Sequence, residues 1–223
     1  MPAYVGMTVR EKASMLKVWG RNNSINVQKV MWTVGELKLE HTRLDVGGAY
    51  GKTKEAPYLA MNPNALVPTL EEDDGFILWE SNSIVRYLAG KHDKTGVLEP
   101  KDLRARALAS QWMDWQLSVA NPAITPVFWG LIRTPPEKRD YAVIEAQTKK
   151  TIDAMAMLDE RLGKSAYVAG EAFSYGDIPV GCVCYRFVNL IKDRPSMPHL
   201  DRWFASISSR QAFKDHVGSV PLT

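Results

Sequence analysis

The sequence predicts an α/β domain followed by an all-helical domain. Short strand-like runs alternate with amphipathic stretches over residues 15–92, which is the pattern of an α/β unit. Beyond residue 101 the chain has no convincing strand, and long helical stretches are separated by breaks that contain proline. The polar stretch KTGVLEPKD lies between the two parts and is typical of a linker. We therefore predict one domain over residues 14–93 and another over residues 101–223.

The first domain is predicted to have the order βαβ followed by ββα. The run MLKVW predicts the first strand, and residues 25–37 carry apolar side chains at helical spacing. HTRLD predicts the second strand, after which come a glycine-rich loop and a short helix in PYLAMN that ends at Pro63. VPTLE and FILW predict a hairpin, and residues 80–91 predict the amphipathic helix that closes the unit.

Helices alone are predicted for the second domain, over residues 103–119 with a continuation past two prolines, over 137–162, and from 200 onward. A further helix is predicted to be capped by Ser174, because the carboxylate of Asp177 can reach back to the amide of the capping residue. This pattern explains an acidic residue in an apolar stretch. We therefore predict a folding role for both residues.

Composition narrows the possible partners. The chain has 28 basic and 25 acidic residues, interspersed and giving a net charge of +3, so nucleic acid is not an expected partner. No apolar run is long enough to span a bilayer, and the first twelve residues lack a signal-peptide pattern, which predicts a cytoplasmic protein. Cys182 and Cys184 lie two apart in a helical stretch, which suits neither a disulfide nor a zinc site. No metal is expected.

Several motifs together resemble the bacterial glutathione transferases of the cytosolic superfamily. They are the first strand, the helix in GRNNSINVQKV, the glycine-rich loop, NPNALVPTL, LWESNSIVRYL and SYGDI, and the resemblance extends over about residues 15–210. It implies a thioredoxin-like first domain, glutathione as co-substrate, and a homodimer. The chain departs from the family pattern in two places. Ala65 stands where many relatives have glycine or a polar residue, and no CxxC or CPxC motif follows the first strand.

The resemblance implies a cis peptide bond between Val67 and Pro68, which would leave the backbone N–H and C=O of Val67 free to hold the cysteinyl part of glutathione. Glu80 and Ser81 open a helix, whose end attracts a carboxylate while Glu80 meets an ammonium group. The pair would thus bind the γ-glutamyl zwitterion. Lys54 is a candidate for the glycine carboxylate. An ordinary turn proline, a plain helix cap and a solvated lysine are the alternative interpretations.

Ser24 matches the position of the thiol-activating serine of the family. Its hydroxyl would donate a hydrogen bond to the glutathione sulfur and favour the thiolate. Asn26 lies two residues further on and could donate to the same sulfur, so the sequence leaves open which of the two contributes more. The alternative is that Ser24 is a helix cap. The electrophile is expected to contact Trp112, Trp115 and Phe128, unless this aromatic stripe belongs to the core.

The function predicted from these motifs is activation of the glutathione thiol and its conjugation to small hydrophobic electrophiles, in a detoxification role. Two alternatives remain open. The same fold could serve a glutathione-dependent disulfide reductase or peroxidase, or it could be a binding module without catalytic activity.

Overall fold

The computed structural model describes residues 15–223. Four strands form one sheet, and their bounds are β1 Leu16–Trp19, β2 His41–Leu44, β3 Thr69–Glu71 and β4 Ile77–Trp79. The helices are α1 Ile25–Glu36, α2 Ala56–Met61, α3 Ser81–His92, α4 Leu103–Trp115, α5 Asn121–Phe128, α6 Tyr141–Leu162, α7 Asp177–Leu190, α8 Pro198–Ser208 and α9 Gln211–Phe213. The predicted order βαβ–ββα followed by helices is what the structure has.

The register of the sheet brings four connections to one edge. The strand order is β2-β1-β3-β4, with β1 parallel to β2 and antiparallel to β3, and β3 antiparallel to β4. Trp19 at the end of β1 is paired with Thr69 at the start of β3, and Thr69 is paired with Trp79 at the end of β4. Four chain segments therefore lie at the same end of the strands, which we call the sheet edge. They are the segments after β1, β2 and β4 and the segment before β3.

Helix α1 joins the two domains. Val27, Val30 and Val34 are fully buried against the sheet and α3, because they occupy one face of the helix. Trp32, on another face, is fully buried in the core of the helical domain. A helix that is buried on both sides fixes the position of its first turn relative to both domains.

In the second domain, the structure confirms the helix predicted to continue past two prolines. It also shows that another predicted helix starts later than expected. Between α4 and α5 the helix widens into a π-helical turn at Gln116–Ala120, and a second π-helical turn at Trp129–Arg133 follows α5. The helix predicted over residues 137–162 begins only at Tyr141. Pro136–Lys138 instead forms a short 3-10 turn, and the carboxylate of Asp140 caps α6 by accepting a hydrogen bond from the Val143 amide at 3.0 Å.

The predicted hydrogen bond between the Asp177 carboxylate and the Ser174 amide is present, but Ser174 is not the N-cap residue. Helix α7 begins only at Asp177, with Gly176 as its N-cap, because the Asp177 amide donates to the Ser174 C=O at 3.0 Å and closes a turn before the helix. The Asp177 carboxylate accepts a hydrogen bond from the Ser174 amide at 2.9 Å, from the Val168 amide at 3.1 Å and from Trp203 Nε1 at 2.9 Å. The side chain is fully buried, and this burial raises its pKa to about 6. Asp177 thus links three segments of the helical domain, which is a folding role.

Two predictions fall on the N-terminal segment that precedes residue 15, namely a first domain that begins at residue 14 and the lack of a signal-peptide pattern; both lie outside the described residues. Within the described range, no helix is long and apolar enough to cross a membrane. Cys182 and Cys184 are buried and unpaired, as predicted.

Candidate active site

The predicted glutathione residues lie on the connections at one sheet edge. Ser24 follows β1, Lys54 follows β2, the Val67–Pro68 pair precedes β3, and Glu80 follows β4. Because paired strand ends fix these connections side by side, residues that are distant in the sequence share one surface.

Ser24 stands at the N-cap position of α1, and its hydroxyl has no hydrogen-bond partner among residues 15–223. Its backbone is extended, and its C=O accepts the hydrogen bond from Gln28 at 2.9 Å, which starts the helix. The side chain is only 7% exposed, yet it accepts no capping hydrogen bond from α1. Asn26 lies in the first turn of the helix, half-buried. The first amides of a helix have no internal acceptor and carry a partial positive charge, so an anion is stabilised at this position.

The peptide bond between Val67 and Pro68 is cis, as predicted. The preceding carbonyl of Leu66 is held by the Tyr58 hydroxyl at 2.7 Å and by Asn62 Nδ2 at 2.9 Å. Neither the N–H nor the C=O of Val67 has a hydrogen-bond partner among residues 15–223. The turn therefore offers a free backbone donor and acceptor at the sheet edge, the arrangement that an extended peptide can pair with.

Glu80 adopts a left-handed backbone conformation with φ of 72° immediately before α3. A residue with a side chain is strained there by about 1 to 2 kcal/mol. The carboxylate is exposed, makes no capping bond and has no cation within ion-pair distance in the described part of the chain. Ser81, by contrast, is buried at the first position of the helix. An unpaired carboxylate thus stands beside an anion-attracting helix end, which suits a ligand that carries both charges.

Comparison with known proteins identifies the family. Residues 23–91 match the model for the glutathione S-transferase N-terminal domain, and residues 141–206 match that for the C-terminal domain. The chain is 40% identical to glutathione S-transferase GstB of Escherichia coli strain K12 over 201 residues, which are 90% of this chain and 96% of that protein. The chain belongs to the glutathione S-transferase family. The resemblance predicted from the motifs is confirmed.

Solved structures agree with the fold of this transferase family. The theta class glutathione S-transferase from Xanthomonas axonopodis pv. citri with glutathione bound has a TM-score of 0.88 and 39% identity, with 93% of this chain and 99% of that chain covered. Glutathione transferase F7 from Populus trichocarpa has a TM-score of 0.82 and 27% identity, with 92% and 99% covered. The thioredoxin-like first domain and the all-helical second domain are therefore confirmed.

Sequence reasoning missed Lys29, a buried cation beneath the start of α3. The side chain is fully buried, and its Nζ donates to Gln116 Oε1 at 2.9 Å and to Asn82 Oδ1 at 3.3 Å, with Ser81 Oγ at 3.5 Å. In the described residues no carboxylate lies within ion-pair distance of Nζ, and burial lowers the pKa of Lys29 to about 8. A signal for this residue was available. Lys29 lies four residues after Ile25 and three before Trp32, on the buried face of α1.

The remaining predicted residues are placed apart from one another. Trp112 and Trp115 line a cavity of about 300 Å³ between α4 and α6, and all residues around that cavity belong to the second domain. Phe128 lies instead beneath Arg186, close to the first domain. Lys54 is exposed. The roles of the two tryptophans, of Phe128 and of Lys54 stay predictions.

Proposed function

We propose that this glutathione S-transferase activates the glutathione thiol and conjugates it to small hydrophobic electrophiles. One observation carries the proposal: the unused hydroxyl of Ser24, at the positive end of α1, lies at the same sheet edge as the free backbone of Val67 and the start of α3. A peptide that pairs with Val67 would bring its next groups toward this hydroxyl.

Glutathione would be held at three points. The γ-glutamyl carboxylate binds Ser81 and the first amides of α3, and its ammonium group meets Glu80, whose carboxylate is free of other partners. The cysteinyl backbone pairs with Val67 beside the cis Pro68. Lys54, on the connection after β2, is the proposed partner of the glycine carboxylate.

The reaction proceeds from the thiolate. Donors at Ser24 and Asn26, with the amides of the first turn of α1, stabilise the sulfur anion, and the thiol proton leaves to solvent. The sulfur then forms a bond to an electrophilic carbon. In a substitution the leaving group departs with its bonding electron pair, whereas in an addition the neighbouring atom takes a proton. Placing both reactants side by side supplies much of the acceleration.

We also propose that the enzyme works in the cytoplasm, that its role is detoxification, and that it is a homodimer. The cytoplasm holds the glutathione that the reaction consumes. Phe76 lies on the turn before β4, Trp79 at the end of β4 and Leu66 on the connection before β3, and all three side chains are exposed. A partner subunit that covers these apolar side chains would gain from their burial. Light scattering should give twice the 25.0 kDa chain mass, and a 25.0 kDa species alone would refute the dimer.

The experiment that tests the proposal titrates bound glutathione. Thiolate absorbance is measured against pH in the complexes of the wild type, Ser24→Ala, Asn26→Ala and the double variant. We expect each single change to raise the pKa of the bound thiol, and the double change to bring it close to the free value of about 8.5. A double variant that binds glutathione with an unchanged, depressed pKa would show that neither side chain activates the sulfur.

Product analysis separates conjugation from its alternatives. The wild type is assayed with an aryl halide and with a mixed disulfide. Thioether formation supports the proposal, whereas disulfide reduction without conjugation would assign the reductase activity. Binding of glutathione with neither reaction would assign a binding module.

A further inference from the structure

Two arginines lie over one aromatic ring at the boundary between the domains, and a third arginine lies near them. Arg186, in α7, places its guanidinium carbon 3.9 Å from the centre of the Phe128 ring, and Arg133, at the end of the second π-helical turn, places its own at 5.6 Å. Arg186 is only 7% exposed. Its Nε is buried without a hydrogen-bond partner in the described residues. A guanidinium that lies flat on a ring keeps its N–H groups free in the plane for another acceptor.

The third arginine comes from the first domain. Arg21 lies in the connection from β1 to α1, and its C=O accepts a hydrogen bond from the Ser24 amide at 3.3 Å. A Cβ at Gly48 would stand 2.9 Å from Arg21 Cδ and Nε, so the glycine, with φ of 58°, makes room for this side chain. Arg21 is therefore held between the glycine-rich loop and the proposed sulfur site. Its charge is close enough to those of Arg133 and Arg186 for repulsion between them.

These three cations have no anionic partner in residues 15–223. Five other arginines are paired with carboxylates, in the pairs Arg43–Asp45, Arg86–Asp114, Arg106–Glu99, Arg194–Asp201 and Arg210–Glu36. Arg139, Arg161 and Arg202 bind backbone carbonyls instead, and Arg104 is exposed. Arg186 differs from all of these because it is buried with a free Nε in the described residues. Around Arg186 the charged neighbours are instead Arg133 and Arg21, and burial together with their repulsion lowers its pKa to about 10.

Buried charges in proteins are normally paired or bound to a ligand of opposite charge. We propose that the electrophile of this enzyme carries a carboxylate, and that Arg21, Arg133 and Arg186 bind it over the face of Phe128. The guanidinium fork matches the two oxygens of a carboxylate. Arg133 is exposed, so the ligand has a route from solvent. The inference rests on the proposed function, because it assigns the substrate class of the same site.

A matched pair of aryl halides tests this inference. With 4-chloro-3-nitrobenzoate, the thiolate sulfur bonds to the ring carbon that carries chlorine, chloride leaves with the bonding electrons, and the carboxylate is unchanged. The neutral 4-chloro-3-nitrobenzamide reacts in the same way. Each kcat/KM is divided by the uncatalysed rate constant with glutathione, because the two substituents activate the ring differently. We call the quotient of the two normalised values the charge preference.

We expect the wild type to prefer the carboxylate, with a charge preference of about tenfold or more. The neutral benzamide cannot make the charge-assisted hydrogen bond that the benzoate makes with the arginines. The charge preference should fall by about tenfold in Arg133→Gln and in Arg186→Gln. Arg104→Gln is the matched control, since Arg104 is exposed on α4, and it should keep the wild-type preference. Because Arg133 is exposed, its variant tests the inference even if Arg186→Gln does not fold.

Binding of the products gives a readout without turnover. Inhibition or calorimetry compares the two S-aryl glutathione conjugates, one with the carboxylate and one with the carboxamide. A wild type that converts the benzamide with a charge preference near one would overturn the inference and leave the proposed function standing. If neither halide is converted, the proposed function fails. The arginine site is then judged from binding alone: tighter binding of the carboxylate conjugate supports it, and equal binding of the two conjugates overturns it. A higher KM for glutathione in Arg133→Gln, at constant charge preference, would assign the arginines to glutathione and also overturn the inference.

Discussion

Replacement of the buried Lys29 by methionine should abolish a rise of stability at alkaline pH. The side chain has a pKa of about 8 in the folded protein, against 10.5 for the free group. Because the folded-state pKa is the lower one, the unfolded chain binds more protons between these two values. The contribution of Lys29 to the free energy of unfolding therefore rises with pH in this window, and it is lost as the pH falls through about 8.

The magnitude follows from the size of the shift. At about 1.4 kcal/mol per pKa unit, a displacement from 10.5 to about 8 corresponds to about 3.4 kcal/mol in total, of which about 2.5 kcal/mol falls between pH 7 and pH 10. At pH 7 two effects of Lys29→Met oppose each other. Removing a desolvated charge stabilises the fold, whereas Gln116 Oε1 and Asn82 Oδ1 lose their donor, at about 1 to 3 kcal/mol each.

The assay is chemical denaturation of the wild type and Lys29→Met at pH 7, 8, 9 and 10. The free energy of unfolding of the wild type minus that of the variant should increase by about 2.5 kcal/mol across the series. Groups that do not interact with Lys29 titrate equally in both proteins and cancel in this difference. Lys149→Met, at an exposed position of α6, is the matched control and should show a constant difference. A constant difference for Lys29→Met as well would refute a depressed pKa at this site.

The same lysine should influence glutathione binding. Lys29 lies beneath Ser81, which is the proposed carboxylate site, so loss of its charge above pH 8 removes a favourable interaction. S-methylglutathione has no thiol to titrate and is the suitable probe. Its affinity should decline through about pH 8 in the wild type and change less in Lys29→Met, as measured by calorimetry.

Three further changes have defined outcomes. Glu80→Ala should weaken glutathione binding by about 1.5 to 3 kcal/mol, because it removes the proposed ammonium partner, and an unchanged Kd by calorimetry in a folded variant would exclude that role. Ala65→Gly should raise the free energy of unfolding by about 0.5 to 1 kcal/mol, since Ala65 has φ of 55°; denaturation that shows a loss would contradict this strain. Asp177→Asn should lower stability by about 2 to 4 kcal/mol, because an amide NH₂ would face the N–H groups of Ser174 or of Trp203, and a melting temperature within a degree of the wild type would contradict it.

Local signals in the sequence predict most of the elements and nominate the candidate glutathione residues, whose roles stay predictions. Val67–Pro68 and Glu80–Ser81 are turn and cap signals that can be read from a few neighbouring residues. Their position at one sheet edge follows from strand direction once the hairpin is recognised. The start of α6 was placed at residue 137 although Asp140 is a good N-cap, because a helical period alone does not separate a 3-10 turn from the first turn of a helix.

The burial of the two cations Lys29 and Arg186 could not be predicted from local sequence signals. Arg186 is the only basic residue in α7, and an arginine in an apolar helix is compatible with a solvated end of the side chain as well as with burial. Its burial depends on the packing of α7 against α1 and α5, which are distant in the sequence. The same holds for Lys29, whose acceptor Gln116 lies 87 residues further along the chain. Long-range packing, and not the local pattern, turns these residues into site candidates.

Features that lower the stability of the folded chain gather at the boundary between the sheet edge and the helical domain. Within the described part of the chain, Lys29 is buried without a carboxylate partner and Arg186 is buried with an unpaired Nε. Glu80 is held in a left-handed conformation. A sequence selected for stability alone would replace such residues, since a buried charge without a partner costs several kcal/mol. An anion at this boundary would offset the two buried charges, and an ammonium would occupy Glu80. These destabilising features fit a protein whose site is completed by its ligand. An anionic ligand that binds only the folded chain should raise the free energy of unfolding by RT ln(1 + [L]/Kd).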